Sequence, residues 1–309
     1  MAFLKHLLVS TSNANIHVLR KSLCSLAFVP KHNPSQDVDV ETLTGFLRSH
    51  SRILVLTGAG VSTESGIPDY RSEEVGLYAR SSTRPVKFQD FMKSPSLRKR
   101  YWARNYFGWP RFSSFSPNET HYSLSKLEEL NKLQCIVTQN VDRLHHKAGS
   151  KNVIELHGST FKVMCMGCDT RIDRHVFQEK LAELNSNMVL SATAIRPDGD
   201  VDLPQNQVDT FCVPSCDTCG GVLKPDIVFF GESVPMARVQ LVKKNVEMCD
   251  SVLVLGSSLS VFSGYRIVLQ AKQLNKAVVI VNIGDTRGDQ HCKFKLNVRC
   301  GDVFPKCVE

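Results

Sequence analysis

RILVLTGAGVSTESGIPDYRS, residues 52–72, places a short β-prone run directly before a glycine-rich turn. Gly58 and Gly60 let the backbone turn tightly and approach a pyrophosphate, and the amides that open the next helix can bind its charge. The GxGxxG pattern is incomplete because Thr63 stands where the third glycine would be. These residues alone are compatible with a dinucleotide site and also with a structural turn that binds nothing.

Further β-prone runs follow along the chain, and helical stretches alternate with them. All the runs together are residues 53–57, 135–138, 153–156, 252–256, 278–282 and 296–299. This alternation predicts an α/β fold around a Rossmann-type parallel sheet. Polar or glycine-rich stretches begin where the runs end: TQNVDRLH (138–145), ELHG (155–158), GSSLSV (256–261), NIGD (282–285) and RCGD (299–302). Because ligands bind outside the carboxyl ends of parallel strands, we expect the site at this edge of the sheet.

Residues 162–226 differ from the rest in having little periodicity and two CxxC pairs. We expect them to form a smaller zinc-binding module inserted between two parts of the sheet domain, residues 37–161 and 227–309. The paired residues are Cys165, Cys168, Cys216 and Cys219. Four thiolates can surround a structural zinc ion and leave no position for a substrate. A redox CxxC is the alternative, but such a motif usually occurs singly. Cys212 is close by but lacks the spacing.

Half of the formal net charge of +8 lies in residues 1–36, which contain four basic and no acidic residues. Serines and apolar clusters lie between the basic residues, as in a mitochondrial presequence, so we expect import into the matrix. An unstructured tail of accidental composition is the alternative. The rest of the chain carries too little excess charge to favour nucleic acid. Its apolar runs are strand-sized, so no membrane span is expected.

GAGVSTESGIPDYRS, TQNVDRLH, ELHG, the two CxxC pairs, KPDIVFFGE, GSSLSV and NIGD occur in an order and spacing similar to those of the sirtuins. The resemblance extends from residue 41 to the end. It implies an NAD-dependent protein-lysine deacylase that releases nicotinamide and O-acyl-ADP-ribose, with NAD as co-substrate and one structural zinc ion. The alternative is a protein mono-ADP-ribosyltransferase that uses the same NAD site. A non-catalytic NAD-sensing module is disfavoured by the histidine of ELHG and the asparagine of TQNVD.

RYWARNYFGWPRFSS (100–114), PDGDV (197–201) and RCGD resemble a mitochondrial branch of this family. That resemblance implies lipoyl, biotinyl or 3-hydroxy-3-methylglutaryl groups as acyl substrates. It also implies acyl-lysine proteins of mitochondrial metabolism as partners, namely biotin- or lipoyl-bearing enzymes and glutamate dehydrogenase.

The resemblance implies a role for each matching residue. His157 is the expected general base, a task that suits an imidazole, and Asn140 is the second catalytic residue. The expected cofactor-binding residues are Gly58, Ala59, Gly60, Ser65, Ile67, Asp69, Tyr70, Arg71, Gln139, Asn140, Val141, Asp142, Gly256, Ser257, Ser258, Asn282, Ile283, Gly284 and Cys300. The expected substrate-binding residues are Tyr101, Arg104, Val228, Phe229, Phe230, Gly231 and Glu232.

The substrate-binding assignments have alternatives. Residues 228–232 are expected to pair with the substrate backbone as an added strand, but they also suit an ordinary buried strand. Tyr101 and Arg104 resemble a Tyr-x-x-Arg pair that binds acidic acyl groups in another mitochondrial member of the family, and a helix would place them on one face. Alternatively, they belong to a solvated helix face that continues the basic residues before them.

Overall fold

The computed structural model describes residues 26–82, 84–188, 197, 199–201 and 203–308. Most of the expected presequence, residues 1–25, lies outside this part of the chain. Residues 26–36 are described, and they contact the end of the fold through His32 and Ser35. Among the described helices, none is both long and apolar enough to cross a membrane.

Helices and strands alternate along most of the described chain. The α-helices are α1 (Asp37–Ser49), α2 (Leu77–Arg80), α3 (Phe88–Lys93), α4 (Pro95–Ser113), α5 (Glu119–Glu129), α6 (Leu144–Lys147), α7 (Arg174–Leu184), α8 (Gln205–Thr210), α9 (Met236–Met248), α10 (Phe262–Gln273) and α11 (Cys300–Val303). The 3-10 helices are Ala59–Ser65, Asp289–His291 and Pro305–Cys307. The strands are β1 (Ile53–Thr57), β2 (Leu133–Thr138), β3 (Val153–Glu155), β4 (Gly158–Cys165), β5 (Arg171–Asp173), β6 (Leu223–Ile227), β7 (Ser251–Leu255), β8 (Ala277–Val281) and β9 (Phe294–Leu296).

The main sheet has six parallel strands in the order β3-β2-β1-β7-β8-β9, which confirms the predicted Rossmann-type sheet. Every residue of β1 and β7 is buried, as their continuous apolar runs require of central parallel strands. The chain winds outward from β1 to one edge and from β7 to the other. A crevice therefore opens between the loops that follow β1 and β7, where ligands of such sheets bind.

Successive residues of each strand face opposite sides of the sheet, and helices cover both sides. Val55 and Leu253 pack with apolar residues of α1, α5 and α11 on one side. Leu54 and Val254 pack with residues of α9 and α10 on the other. This burial on both faces holds the strand ends, and the loops that follow them, in a constant arrangement.

The first five predicted runs overlap β1, β2, β3, β7 and β8 to within two residues at each end. The last prediction, residues 296–299, was wrong except for one residue, because β9 spans Phe294–Leu296. This edge strand alternates instead of being apolar throughout. Phe294 and Leu296 pack against the core on one face, whereas Lys295 between them has its Nζ 2.6 Å from Asp289 Oδ2. Val298 and Arg299 already belong to the loop that leads into α11.

A smaller antiparallel sheet, in the order β5-β4-β6, is inserted between β3 and β7 together with α7 and α8. Its core is continuous with α4, because Trp102 packs against Phe177 and donates a hydrogen bond from Nε1 to Leu223 O at 3.0 Å. α4 therefore connects the inserted unit to the main sheet domain.

The four paired cysteines form one cluster in this unit, with their Sγ atoms all within 4.8 Å of one another. Cys165 Sγ lies 3.5 Å from Cys219 Sγ, and Cys168 Sγ lies 3.8 Å from Cys216 Sγ. A Cβ on Gly221 would come within 2.8 Å of Cys165 Sγ, so the glycine allows the chain to turn closely around the sulfurs. Four thiolates at these separations fit one structural zinc ion, which would stabilise the fold and leave no site for chemistry.

We expect Cys216→Ala to lower the zinc content from about one ion to under about 0.2 per chain and the melting temperature by about 10 °C or more, since structural zinc binding contributes directly to folding free energy. Metal analysis and calorimetry on the purified chain measure both. Cys212→Ala is the matched control, because Cys212 is exposed and lies outside the cluster. Folded, active protein without zinc would contradict the assignment.

Candidate active site

A cavity of about 1340 Å³ lies at the carboxyl edge of the main sheet. Typical small-molecule sites are about 300–1,000 Å³, so this one has room for a dinucleotide and part of a second substrate. The predicted site residues that line it are Gly58, Ala59, Gly60, Ile67, Asp69, Tyr70, Arg71, Tyr101, Gln139, Asn140, Val141, Asp142, His157, Val228, Phe229, Phe230, Gly231, Glu232, Gly256, Ser257, Ser258, Asn282, Ile283 and Gly284.

The remaining predicted residues lie around this cavity. Cys300 lines a small adjoining cavity together with Asn282, and burial raises the pKa of its thiol to about 12. Ser65 accepts a hydrogen bond from Asn118 Nδ2 at 3.0 Å and is not among the lining residues. Arg104 is also not among them.

The glycine-rich loop after β1 packs backbone to backbone against the loop after β7. Gly60 N donates to Gly256 O at 2.9 Å, and a Cβ on Gly58 would lie only 2.7 Å from the same oxygen. Farther along, Asp69 organises the chain, because its Oδ1 accepts from the amides of Arg71 and Ser72 at 3.0 and 2.8 Å. These contacts give residues 69–72 a defined conformation at the cavity wall.

Asn140 and Gln139, at the end of β2, bind the neighbouring loops with their side-chain amides. Asn140 Nδ2 donates to Gly58 O at 3.0 Å and to Ser62 Oγ at 3.1 Å. Both donors of this amide are thereby engaged, so it would present an acceptor, Oδ1, to a ligand. Gln139 Nε2 donates to Ser257 Oγ at 2.8 Å, which ties the β2 loop to the β7 loop.

Asp142 is buried beneath this region. Its Oδ2 accepts from Ser62 Oγ at 2.7 Å and its Oδ1 from Leu144 N at 2.9 Å. Burial raises the pKa of the carboxyl, and these hydrogen bonds oppose the rise because they stabilise the charged form. Asp142 therefore connects the 3-10 helix Ala59–Ser65 to the start of α6.

His157 follows β3 and lines the cavity with its hydrogen bonds already defined. Its Nδ1 lies 3.0 Å from Gln139 O, and its Nε2 lies 2.7 Å from Ser263 Oγ. A carbonyl oxygen only accepts, so Nδ1 carries the proton and Nε2 of the neutral ring is the basic atom. Burial lowers the pKa of His157 to about 4, although the Gln139 hydrogen bond opposes this, so the ring is neutral at physiological pH.

Residues 228–232 lie after β6 and are not part of a regular strand, so the alternative of an ordinary buried strand was wrong. Val228 N donates to His157 O at 2.8 Å, and Glu232 Oε2 accepts from Phe229 N at 2.8 Å. Phe230 is 38% exposed at the cavity. The segment thus lies beside His157 with an aromatic side chain directed outward.

The structure places Tyr101 and Arg104 differently. Tyr101 lines the cavity and packs against Phe229, with ring centroids 5.3 Å apart. Arg104 is buried one helical turn away, where its Nε lies 3.1 Å from Asp200 Oδ1 and also donates to Val201 O. The alternative of a solvated helix face was wrong, because both side chains are buried.

Several residues of this site escape the sequence reasoning. Ser62 contacts both Asn140 and Asp142, Ser263 contacts His157, and Lys224 lies 3.1 Å from Glu232 Oε2. Each lies in or within two residues of a quoted motif, so the motifs indicated their location. The partners of Ser62 and Ser263 are far away in sequence, and no local pattern specifies such contacts. Lys224 and Glu232 belong to one motif, but the motif alone does not indicate that their side chains meet.

Comparisons with a family model, with curated proteins and with solved structures all indicate the same family. The model of the Sir2 family matches residues 58–263. A Drosophila melanogaster protein named NAD-dependent protein deacylase Sirt4 is 55% identical over 291 residues, covering 94% of this chain and 93% of that protein. A Homo sapiens protein named NAD-dependent protein lipoamidase sirtuin-4, mitochondrial, is 51% identical over 278 residues, covering 90% of this chain and 88% of that protein.

A solved structure described as "Sir2-p53 peptide-NAD+" shares the fold with a TM-score of 0.67 and 29% identity, covering 86% of this chain and 95% of that one. The resemblance to the sirtuins is confirmed, and the family model covers the site residues from Gly58 to Ser258. The chain therefore belongs to the Sir2 family, and it is an NAD-dependent protein deacylase.

Proposed function

We propose that this enzyme removes lipoyl and related acyl groups from lysine side chains of mitochondrial matrix proteins. The observation that carries the proposal is the junction of His157 with residues 228–232. The hydrogen bond from Val228 N to His157 O fixes a neutral imidazole beside an aromatic segment in one large cavity. The relatives named lipoamidase, and the basic leader without acidic residues, support the acyl group and the compartment.

His157 is proposed as the general base. With its Nδ1 proton held by Gln139 O, its Nε2 can accept a proton from a ribose hydroxyl after Ser263 moves or rotates away. The low pKa keeps the base unprotonated. It also makes the isolated base weak, so a positive charge on the ring needs stabilisation by the bound substrates.

Asn140 and Asp69 are proposed to hold the ribose and the carboxamide around the reacting carbon. Asn140 Oδ1 is an acceptor, which suits a sugar on which positive charge develops as nicotinamide leaves. Gln139 and Asp142 are proposed to orient the loop that contains Asn140. The adenosine end of NAD is proposed to bind at Gly256, Ser257, Ser258, Asn282 and Cys300. Phe229 and Phe230 would bind the acyl-lysine peptide.

Transfer of ADP-ribose to a protein nucleophile is the second candidate, because it needs the same NAD contacts and differs in the attacking atom. The position of His157 beside residues 228–232 favours deacylation. NAD labelled in its adenylate part separates the two, since deacylation leaves the label on a small O-acyl-ADP-ribose and transfer leaves it on protein. Lipoyl-, biotinyl- and 3-hydroxy-3-methylglutaryl-lysine peptides, including one from glutamate dehydrogenase, rank the acyl groups by mass spectrometry.

We expect His157→Tyr to keep NAD binding but to lower turnover about a hundredfold or more, because loss of a general base typically costs 10²–10⁴ in rate. Calorimetry measures NAD affinity and mass spectrometry measures turnover. The same substitution at His50, which directly follows α1 and does not line the cavity, is the control. Turnover above a few per cent of the unmodified enzyme would exclude His157 as the base.

A further prediction concerns the choice of acyl group by Arg104. If Arg104 reaches an acidic acyl group beside Asp200, Arg104→Met should cut kcat/KM on 3-hydroxy-3-methylglutaryl-lysine about tenfold or more and change lipoyl-lysine less than about threefold. Asp200→Asn removes the competing carboxylate that Arg104 contacts, so it should preserve or raise activity on the acidic substrate.

An equal fall on both acyl substrates would place Arg104 in the scaffold, and no fall on either would remove it from substrate binding altogether. Melting temperatures of both variants show whether loss of the buried Arg104–Asp200 contact unfolds the inserted unit.

For the leader, protein recovered from mitochondria is expected to lack residues 1 to about 30, as a cleaved presequence would be absent from the imported chain. Mass spectrometry of the N-terminal peptide identifies the first residue. Recovery of the intact Met1 end from the matrix would contradict the assignment.

A further inference from the structure

Residues 28–35, hereafter the N-terminal segment, lie across one edge of the large cavity. Pro30, Lys31, His32 and Asn33 are among its lining residues. Pro30 also lines the small adjoining cavity that contains Cys300. The composition of the leader assigns these residues to a presequence and linker, but their positions are those of a binding-site wall.

The N-terminal segment contacts two elements on opposite sides of this edge. On one side, Lys31 Nζ lies 3.0 Å from Glu74 Oε1, and the Arg80 guanidinium lies 4.9 Å from the ring centroid of Phe28. Glu74 and Arg80 belong to the stretch that begins with Asp69 and ends with α2. Residues 69–74 of this stretch line the cavity.

On the other side, the N-terminal segment contacts α11 through Asp302. His32 Nε2 lies 3.2 Å from Asp302 Oδ2, and Ser35 Oγ donates to Asp302 O at 3.0 Å. His32 Nδ1 also lies 2.9 Å from Pro30 O, so the ring fixes the segment's own backbone where it lines the cavity. The segment therefore joins residues 69–80 to α11.

The two sets of contacts differ in strength. The Lys31 and Glu74 side chains are 86% and 66% exposed, and such pairs contribute little in water. His32 and Asp302 are each 21% exposed, so their contact is better shielded. The contacts at Asp302 are therefore the ones whose loss should release the segment.

We propose that the N-terminal segment is part of the NAD site and retains the adenosine half of NAD by holding residues 69–80 against α11. This inference rests on the proposed assignment of Asn282 and Cys300 to the adenosine side. In consequence, processing of the leader must end before Phe28 if the enzyme is to keep its full NAD affinity. The acyl-lysine end of the cavity lies elsewhere, beside His157, and is not affected.

The test compares His32→Ala/Ser35→Ala with the unmodified full chain. NAD dissociation constants come from calorimetry, and KM for NAD, KM for an acyl-lysine peptide and kcat come from the deacylation assay. We expect the Kd and KM for NAD to rise about fivefold or more, with kcat and the peptide KM within about twofold, since loss of two hydrogen bonds weakens an ordered segment by about this factor. Asp302 itself is left unchanged because it also contacts Arg299.

Two further variants separate binding from folding. His32→Gln keeps an amide donor near the position of Nε2 and should retain NAD affinity within about twofold of the unmodified chain. Glu41→Ala/Thr42→Ala changes two exposed residues of α1 outside the cavity and should change nothing. The calorimetric Kd needs no acyl substrate, so the inference is tested even if lipoyl-lysine proves not to be cleaved.

An unchanged Kd for NAD in folded His32→Ala/Ser35→Ala would overturn the inference. So would an equal loss of NAD affinity, peptide affinity and thermal stability, because that would show a general structural role. The inference would be supported if Kd and KM for NAD rise selectively in His32→Ala/Ser35→Ala but stay near the unmodified values in His32→Gln.

Discussion

The close approach of the loops after β1 and β7 is the constraint on which the site depends. Gly60 N and Gly256 O are 2.9 Å apart, and a Cβ on Gly58, Gly60 or Gly256 would lie within 2.5–2.8 Å of backbone atoms across the contact. Gly256 also has a φ of +55°, in the left-handed region. A side chain at any of these positions would separate the two central loops. Because the sheet order reverses between β1 and β7, that separation would alter the crevice itself.

A chain of hydrogen bonds positions the proposed catalytic groups, Asn140 and His157, relative to this contact. Asn140 Nδ2 donates to Gly58 O, His157 Nδ1 donates to Gln139 O, and Val228 N donates to His157 O. Each bond joins the end of one strand to the loop beside it. The proposed base is therefore held relative to both the glycine-rich loop and residues 228–232 by backbone acceptors, which substitutions of surface residues would not displace.

The sequence predicts the parts of this structure that local chemistry determines. Apolar runs identify the central strands because those strands are buried on both faces, and polar residues directly after them identify the site. The prediction for the edge strand β9 was misplaced because this strand is not a continuous apolar run: only Phe294 and Leu296 pack in the core, with Lys295 between them. The burial of Arg104 against Asp200 and the contact of His32 with Asp302 also escape prediction. Both pairs join residues far apart in sequence, so their partners depend on the completed fold.

The cysteine cluster is joined more directly to residues 228–232 than to the glycine-rich loop after β1. β6 begins four residues after Cys219 and leads without a break into residues 228–232. Within it, buried Lys224 contacts Glu232, whose carboxylate accepts from Phe229 N. The main parallel sheet, in contrast, has its own core on both faces. Loosening of the cysteine cluster would therefore displace residues 228–232 through one continuous strand, whereas the glycine contact between β1 and β7 would remain supported by the larger sheet.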